Sequence, residues 1–230
     1  MKQIFGIFAF VIFIKTTAFT QIPVRGWHYG VQIVPTYFEQ FDWSRGKIDN
    51  SGVNTQMHLW GEYRFAGKER GPFTLQRGLR LDMQMLSRQV VSAGIERSAG
   101  FYRFPLTWTA HQPRYLKDEK YPLFEMSGAI GPHFTFPYQF ESELQQPGYR
   151  ASAGMYAAFG IEFYIQTGTR LTFNFQTAAD LFSLHLANAN RADALFFENG
   201  FALGVASSIA DTRKRNQAMR EARKKRLKKN

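Results

Sequence analysis

The sequence predicts an all-β protein, an eight-stranded antiparallel transmembrane β-barrel with a basic C-terminal tail made of helix-forming residues. Three observations carry this reading. Apolar and polar residues alternate with period two over stretches longer than an ordinary globular strand. Eight such stretches recur along the chain. The apolar face they share is nearly uncharged, while the polar face carries both signs in balance. Composition agrees: 16% of the 230 residues are Phe, Tyr or Trp, with 23 Phe, which suits strands and excludes a disordered chain. There is no cysteine, which excludes disulfide scaffolds, thiolate metal centres and thiol nucleophiles.

The chain opens with Lys2 and an uncharged apolar run from Ile4 to Ile14. That run is too short to span a bilayer as a helix, which takes about 20 residues. It fits the apolar segment of a secretory signal peptide over residues 1–20, with cleavage expected after Ala18 or Thr20. The barrel is then expected over 21–210 and a periplasmic tail over 211–230.

Residues 53–66 alternate most cleanly. Val53, Thr55, Met57, Leu59, Tyr63 and Phe65 share one face, and Asn54, Gln56, His58, Glu62 and Arg64 the other, with Trp60 the exception on the polar side. About 14 residues of alternation suffice to cross a bilayer as a tilted strand, which takes about 9–11. The pattern repeats over 73–85, 99–109, 123–136, 150–165 and 169–181, with less regular first and last strands near 27–38 and 197–209. The intervals between them predict long outward loops at 39–52, 86–98, 137–149 and 182–196, and turns at the periplasmic end at 66–72, 110–122 and 166–168.

The two faces argue for a membrane barrel over a soluble one, which would keep its apolar face inside. The inward charges are Arg64, Arg80, Arg103, Arg150 and Arg170 against Glu62, Asp82, Glu125, Glu162 and Asp180, a self-neutralising set of the kind a buried interior demands. Trp27, Tyr29, Tyr37, Trp43, Trp108 and Tyr138 fall near strand ends, where interfacial girdles form. A secreted soluble β-protein remains a third reading.

The formal charge of +11 suggests nucleic acid until it is located. Residues 211–230 hold ten Lys or Arg against Asp211 and Glu221, a net of +8, and Lys2 and Lys15 lie in the signal, so the body is left at about +1. No basic stripe marks the body, so no nucleic-acid partner is expected. The tail has no apolar face for a membrane-surface helix. In the periplasm it is expected to meet anionic lipid head groups or an acidic envelope protein, alongside the outer-membrane lipids around the barrel.

Gly78-Leu79-Arg80-Leu81, Tyr102-Arg103-Phe104-Pro105-Leu106 and Gly128 to Phe136, with Gly154-Met155, Gly160-Ile161-Glu162 and Gly200 to Val205 further on, resemble the outer-membrane β-barrel domain family of PorT-like proteins. The resemblance spans most of 26–209 and implies the barrel fold and an outer-membrane location. The basic tail departs from it, since such chains usually end at the last strand. His185-Leu186-Ala187-Asn188 resembles, in part, the His-x-Ser-Asn motif of the lipid A 3-O-deacylase family, which implies His185, Asn188 and Glu198 as candidate catalytic residues. Ala187 stands where that family has its serine, so the nucleophile is missing, and Ser183 breaks the order.

No metal site or cofactor is expected, because the five histidines fall on five different predicted elements without paired ligand spacing. The sequence therefore points to a non-enzymatic structural or interaction protein of the cell envelope, in a secretion or assembly complex. Its candidate site is the interior charge cluster Glu62, Arg64, Arg80, Asp82, Arg103, Glu125, Glu162, Arg170 and Asp180. The alternative is a lipid A-modifying hydrolase with a degenerate site at His185.

Overall fold

A computed structural model describes residues 26–42, 47–65, 75–92, 95–115, 122–140, 151–166, 169–184 and 195–209. They form eight strands: β1 (Gly26–Asp42), β2 (Lys47–Arg64), β3 (Gln76–Ser92), β4 (Ile95–Tyr115), β5 (Pro122–Phe140), β6 (Ala151–Gln166), β7 (Thr169–Leu184) and β8 (Leu195–Ile209). Each strand pairs antiparallel with its neighbour in sequence, and β8 returns to pair with β1, closing the barrel. Closure from Trp27↔Ile209 to Phe41↔Leu195 satisfies backbone groups that an open sheet would leave at its edges. The expected signal segment, the basic tail, Trp43, Arg150, His185 and Asn188 lie outside the described residues.

The alternation read from the sequence sorts the side chains between the two surfaces of the wall. Outward stand Trp27, Leu59, Leu79, Leu81, Leu106, Trp108, Ile130, Phe134, Phe159, Phe173, Phe175, Phe201 and Leu203, all exposed, with Phe201 at 70%. Inward stand Gln32, Gln56, Gln84, Thr107, Thr135, Thr172 and Gln176 with the charged residues, all buried. Such a distribution is the reverse of a water-soluble barrel.

Aromatic rings cluster toward both ends of the outer surface. Trp27, Tyr63, Phe65 and Trp108 form a chain at the end holding the first and last described residues, with centroids 5.3, 5.7 and 5.9 Å apart. Toward the other end Tyr102 stacks on Tyr138 at 4.2 Å, and Tyr37 is exposed. Along β1, Trp27 to Tyr37 is about 33 Å of strand, or about 25 Å along the barrel axis at the tilt usual for such barrels, which matches the height of an apolar membrane band.

The connections differ from the expected alternation of long and short. Segments 39–52 and 86–98, expected as outward loops, are mostly strand: only 43–46 separate β1 from β2, and 93–94 separate β3 from β4. The segment 110–122, expected as a turn, continues β4 to Tyr115. Backbone pairing persists there although the apolar alternation stops. Outside the apolar band nothing requires an apolar outer face, and exposed Ser51, opposite Glu39, lies there. Hydropathy therefore marks the band and misses the strand beyond it.

The wall is not uniform above the band. β2 pairs with β1 up to Asp42↔Lys47, and β3 pairs with β4 up to Ser92↔Ile95. Between β2 and β3 the ladder runs only from Arg64↔Gly78 to Met57↔Met85. At its lower end Phe65 N–H donates to Arg77 C=O at 2.8 Å.

Candidate functional site

All nine residues expected in the interior cluster are buried, and they fall into three groups stacked along the barrel axis. The largest lies toward the end with the chain's first and last described residues. There Arg64 Nη1 meets Glu125 Oε1 at 2.6 Å, its Nε meets Glu62 Oε2 at 3.3 Å and its Nη2 meets Glu162 Oε2 at 3.5 Å. Arg170 Nη1 reaches Glu162 at 3.1 Å and Glu125 at 3.4 Å. Thr109 donates its hydroxyl to Glu62 at 2.5 Å, and Tyr164 donates to Glu125 at 2.6 Å. Five strands contribute, so no short sequence motif could encode the group.

His111 completes this network from the part of β4 that lies beyond the apolar alternation, where the pattern predicts a turn. Its Nε2 lies 2.6 Å from Glu62 Oε1 and its Nδ1 3.0 Å from Glu125 Oε1. Gly78 makes room for the Glu62 carboxylate: a Cβ there would fall 2.5 Å from Glu62 Oε1 and 2.6 Å from Thr109 Oγ1.

The middle group is Arg80 and Asp82. Arg80 donates from Nε to Oδ2 at 2.9 Å and from Nη2 to Oδ1 at 2.5 Å, a bidentate pair. The guanidinium also lies over Trp60, 4.3 Å from the ring centroid, a cation–π contact that explains the one aromatic on the polar face of β2. Gly30 opposite accommodates the indole, since a Cβ there would sit 2.7 Å from the ring. Glu62 and Arg80 face each other across the β2–β3 ladder, yet each takes its ion partners elsewhere, Glu62 from Arg64 and Arg80 from Asp82.

In the third group Arg103 pairs with Glu198 through Nη1, reaches Asp180 at 4.0 Å and donates from Nε to Thr135 at 3.3 Å. His133 Nε2 lies 2.7 Å from Asp180 Oδ1, and Gln56 donates to Glu198 at 3.4 Å. Glu198, the candidate acid of the alternative hydrolase reading, is thus buried in the barrel against Arg103. The described interior holds six carboxylates and four guanidiniums rather than five of each, because Glu198 joins the set and Arg150 lies outside the described residues. His111 lies against Glu62 and Glu125, and His133 against Asp180.

Beyond this group the interior changes character. Phe38, Leu86, Ala99, Phe101 and Phe196 pack together inside the barrel and close it, with Phe196 6.2 Å from Phe38 and 5.7 Å from Phe101 between ring centroids. Between the middle and third groups lies a cavity of about 10 Å³ lined in part by Gln84, Arg103, Tyr156, Gln176 and Glu198, room for roughly one water molecule. An eight-stranded barrel has an interior just wide enough for its side chains, and here they fill it.

A metal in this cluster would compete with two guanidiniums. His111, Glu125 and Glu162 bring donor atoms within 4.8 Å of one another, but Arg64 and Arg170 contact the Glu125 and Glu162 oxygens that an ion would use. Two fixed cations already occupy that position. Chemically, the arrangement can brace the wall from within.

A closed antiparallel barrel with a paired ionic interior and an apolar outer surface is the class these features define. No protein-family model matches the sequence, and no curated protein matches it. Among solved structures, the chain is similar to Neisserial surface protein A (TM-score 0.48, 9% identity, covering 80% of this chain and 97% of that one). It is also similar to the attachment invasion locus protein Ail of Yersinia pestis (0.45, 10%, 80% and 99%) and to the outer membrane protein OprG from Pseudomonas aeruginosa (0.40, 11%, 81% and 98%).

Proposed function

We propose that the chain is a non-enzymatic outer-membrane β-barrel, exported through a cleaved signal peptide, that serves as a structural or interaction protein of the cell envelope within a secretion or assembly complex. The observation that carries this reading is the reversed polarity of the wall. An exterior studded with Phe, Leu, Ile and Trp would drive aggregation in water, since exposed apolar patches beyond a few hundred Å² are rare on soluble monomers. The same surface matches hydrocarbon, and the closed ladder leaves few backbone groups for a lipid environment to penalise. The packed ionic interior supports a structural role over transport, because it leaves no channel.

Contacts with other envelope components are then made at the two ends of the barrel. At the periplasmic end the segment 211–230, with net charge +8, attracts an acidic partner through forces that salt screens over about 10 Å at 0.1 M. The test separates inner membrane, outer membrane and soluble fractions of cells making the full chain. Recovery in the outer membrane, with release only by detergent, is expected, and folded protein in the soluble fraction overturns the reading. Pull-down from detergent-extracted envelopes, with and without residues 212–230, reads the interaction role: the truncated chain should stay folded and lose a salt-sensitive partner.

A further inference from the structure

We propose that the open seam between β2 and β3 is a dimerisation edge, and that its occupant is a second copy of this chain. Residues 47–56 of β2 pair with β1 on one side, and residues 86–92 of β3 pair with β4 on one side. Among the described residues neither stretch pairs with a strand on its other side. Backbone donors and acceptors along such edges are templates for another strand. One amide of the stretch, Thr55 N–H, takes the neighbouring side chain Asn54 Oδ1 at 2.6 Å.

Proteins that keep an edge unpaired usually guard it with lysine, proline or a bulge. Lys47 and a register shift opposite Gln40 and Phe41 guard the far end of this edge, but the run Ser51-Gly52-Val53-Asn54-Thr55-Gln56 next to the ladder has no lysine or proline, and its pairing with β1 is regular. Its outward side chains, Ser51, Val53 and Thr55, are exposed, Val53 to 78%. Ser87 on the opposite edge is exposed as well. None of these residues is charged, so two copies meet here without like-charge opposition.

Strand direction selects the occupant. β2 and β3 run antiparallel, so a single guest strand inserted between them would have to run parallel to one edge, the slightly weaker arrangement. A second copy has no such conflict. Resting on the membrane reading above, both copies share one orientation in the bilayer, and a two-fold axis along the membrane normal sets β2 of each against β3 of the other. Both ladders are then antiparallel, and the interface is closed and self-complementary. If they continue the register that ends at Met57↔Met85, Thr55 of one copy faces Ser87 of the other.

The chain contains no cysteine, so a disulfide reports this contact without background. Differently tagged Thr55→Cys and Ser87→Cys chains, co-expressed and oxidised in the membrane, should yield a crosslinked dimer carrying both tags. Either variant alone should yield none. Joining T55C and S87C in one chain should, by the same two-fold geometry, yield a dimer held by two disulfides, whereas closure within one chain and no dimer would set the two residues against each other inside a single barrel. Heat-modifiable migration on gels reports that each variant is folded. The proposal is overturned if the co-expressed pair stays monomeric while the double variant closes internally, or if T55C alone crosslinks as well as the pair. A chain found in the soluble fraction overturns the membrane reading and, with it, the shared orientation the dimer needs.

Discussion

The two ends of the barrel interior solve the same packing problem with opposite chemistry. At the end holding the first and last described residues, Arg64, Arg170, Glu62, Glu125, Glu162 and His111 fill the tube with ion pairs. At the other end Phe38, Leu86, Ala99, Phe101 and Phe196 fill it with hydrocarbon. The outer surface changes in step, from the rings of Trp27, Tyr63 and Trp108 to exposed Ser51 opposite Glu39. Where lipid surrounds the wall, burying apolar groups inside gains nothing over leaving them in hydrocarbon, so polar pairing must hold the interior. Where water surrounds it, the hydrophobic effect returns and an ordinary apolar core becomes the better filling.

The largest effect should come from the ionic end. Arg64→Leu leaves three carboxylates without their shared cation and should cost about 3–5 kcal/mol, read as a lower urea midpoint for barrels in lipid vesicles. Adding Glu125→Gln should recover part of the loss, and an unchanged midpoint in the single variant would show that the cluster does not act as a unit.

Next comes the outer surface, where the same substitution should have two outcomes. Phe201→Arg places a charge in the apolar band and should cost about 2–4 kcal/mol. Ser51→Arg, opposite Glu39 and beyond Tyr37, should stay within about 0.5 kcal/mol. Equal effects at the two sites would erase the boundary between the lipid-facing and water-facing regions.

A smaller cost than at the ionic end or in the apolar band is expected in the aromatic filling. Phe101→Leu keeps the site apolar and nearly full, so a cost of about 1 kcal/mol is expected from equilibrium unfolding. A loss as large as that of Arg64→Leu would mean that this end braces the barrel as strongly as the ion network.

These regions were not equally legible in sequence. The membrane-height part of each strand shows itself because period-two alternation is a local signal, and Glu62, Arg64, Arg80 and Asp82 fall on its polar face by parity alone. Partners are another matter. Arg103 and Glu198 lie far apart in sequence, and only closure of the barrel brings them together. His111 escaped because β4 loses its alternation near the end, and Phe38 and Phe101 belong to an apolar interior that parity alone does not mark. The seam was invisible, since unpaired backbone leaves no mark on side-chain pattern.

The order of the strands also has a kinetic consequence. Seven of the eight ladders join neighbours in sequence, so they grow as hairpins with little loop-closure entropy to overcome, while the eighth joins β1 to β8. Arg103–Glu198 and Gln32–Thr172 are also long-range contacts across the interior, 95 and 140 residues apart in sequence. Ring closure and these contacts must therefore arrive together and late, which makes the last strand the rate-setting piece of assembly.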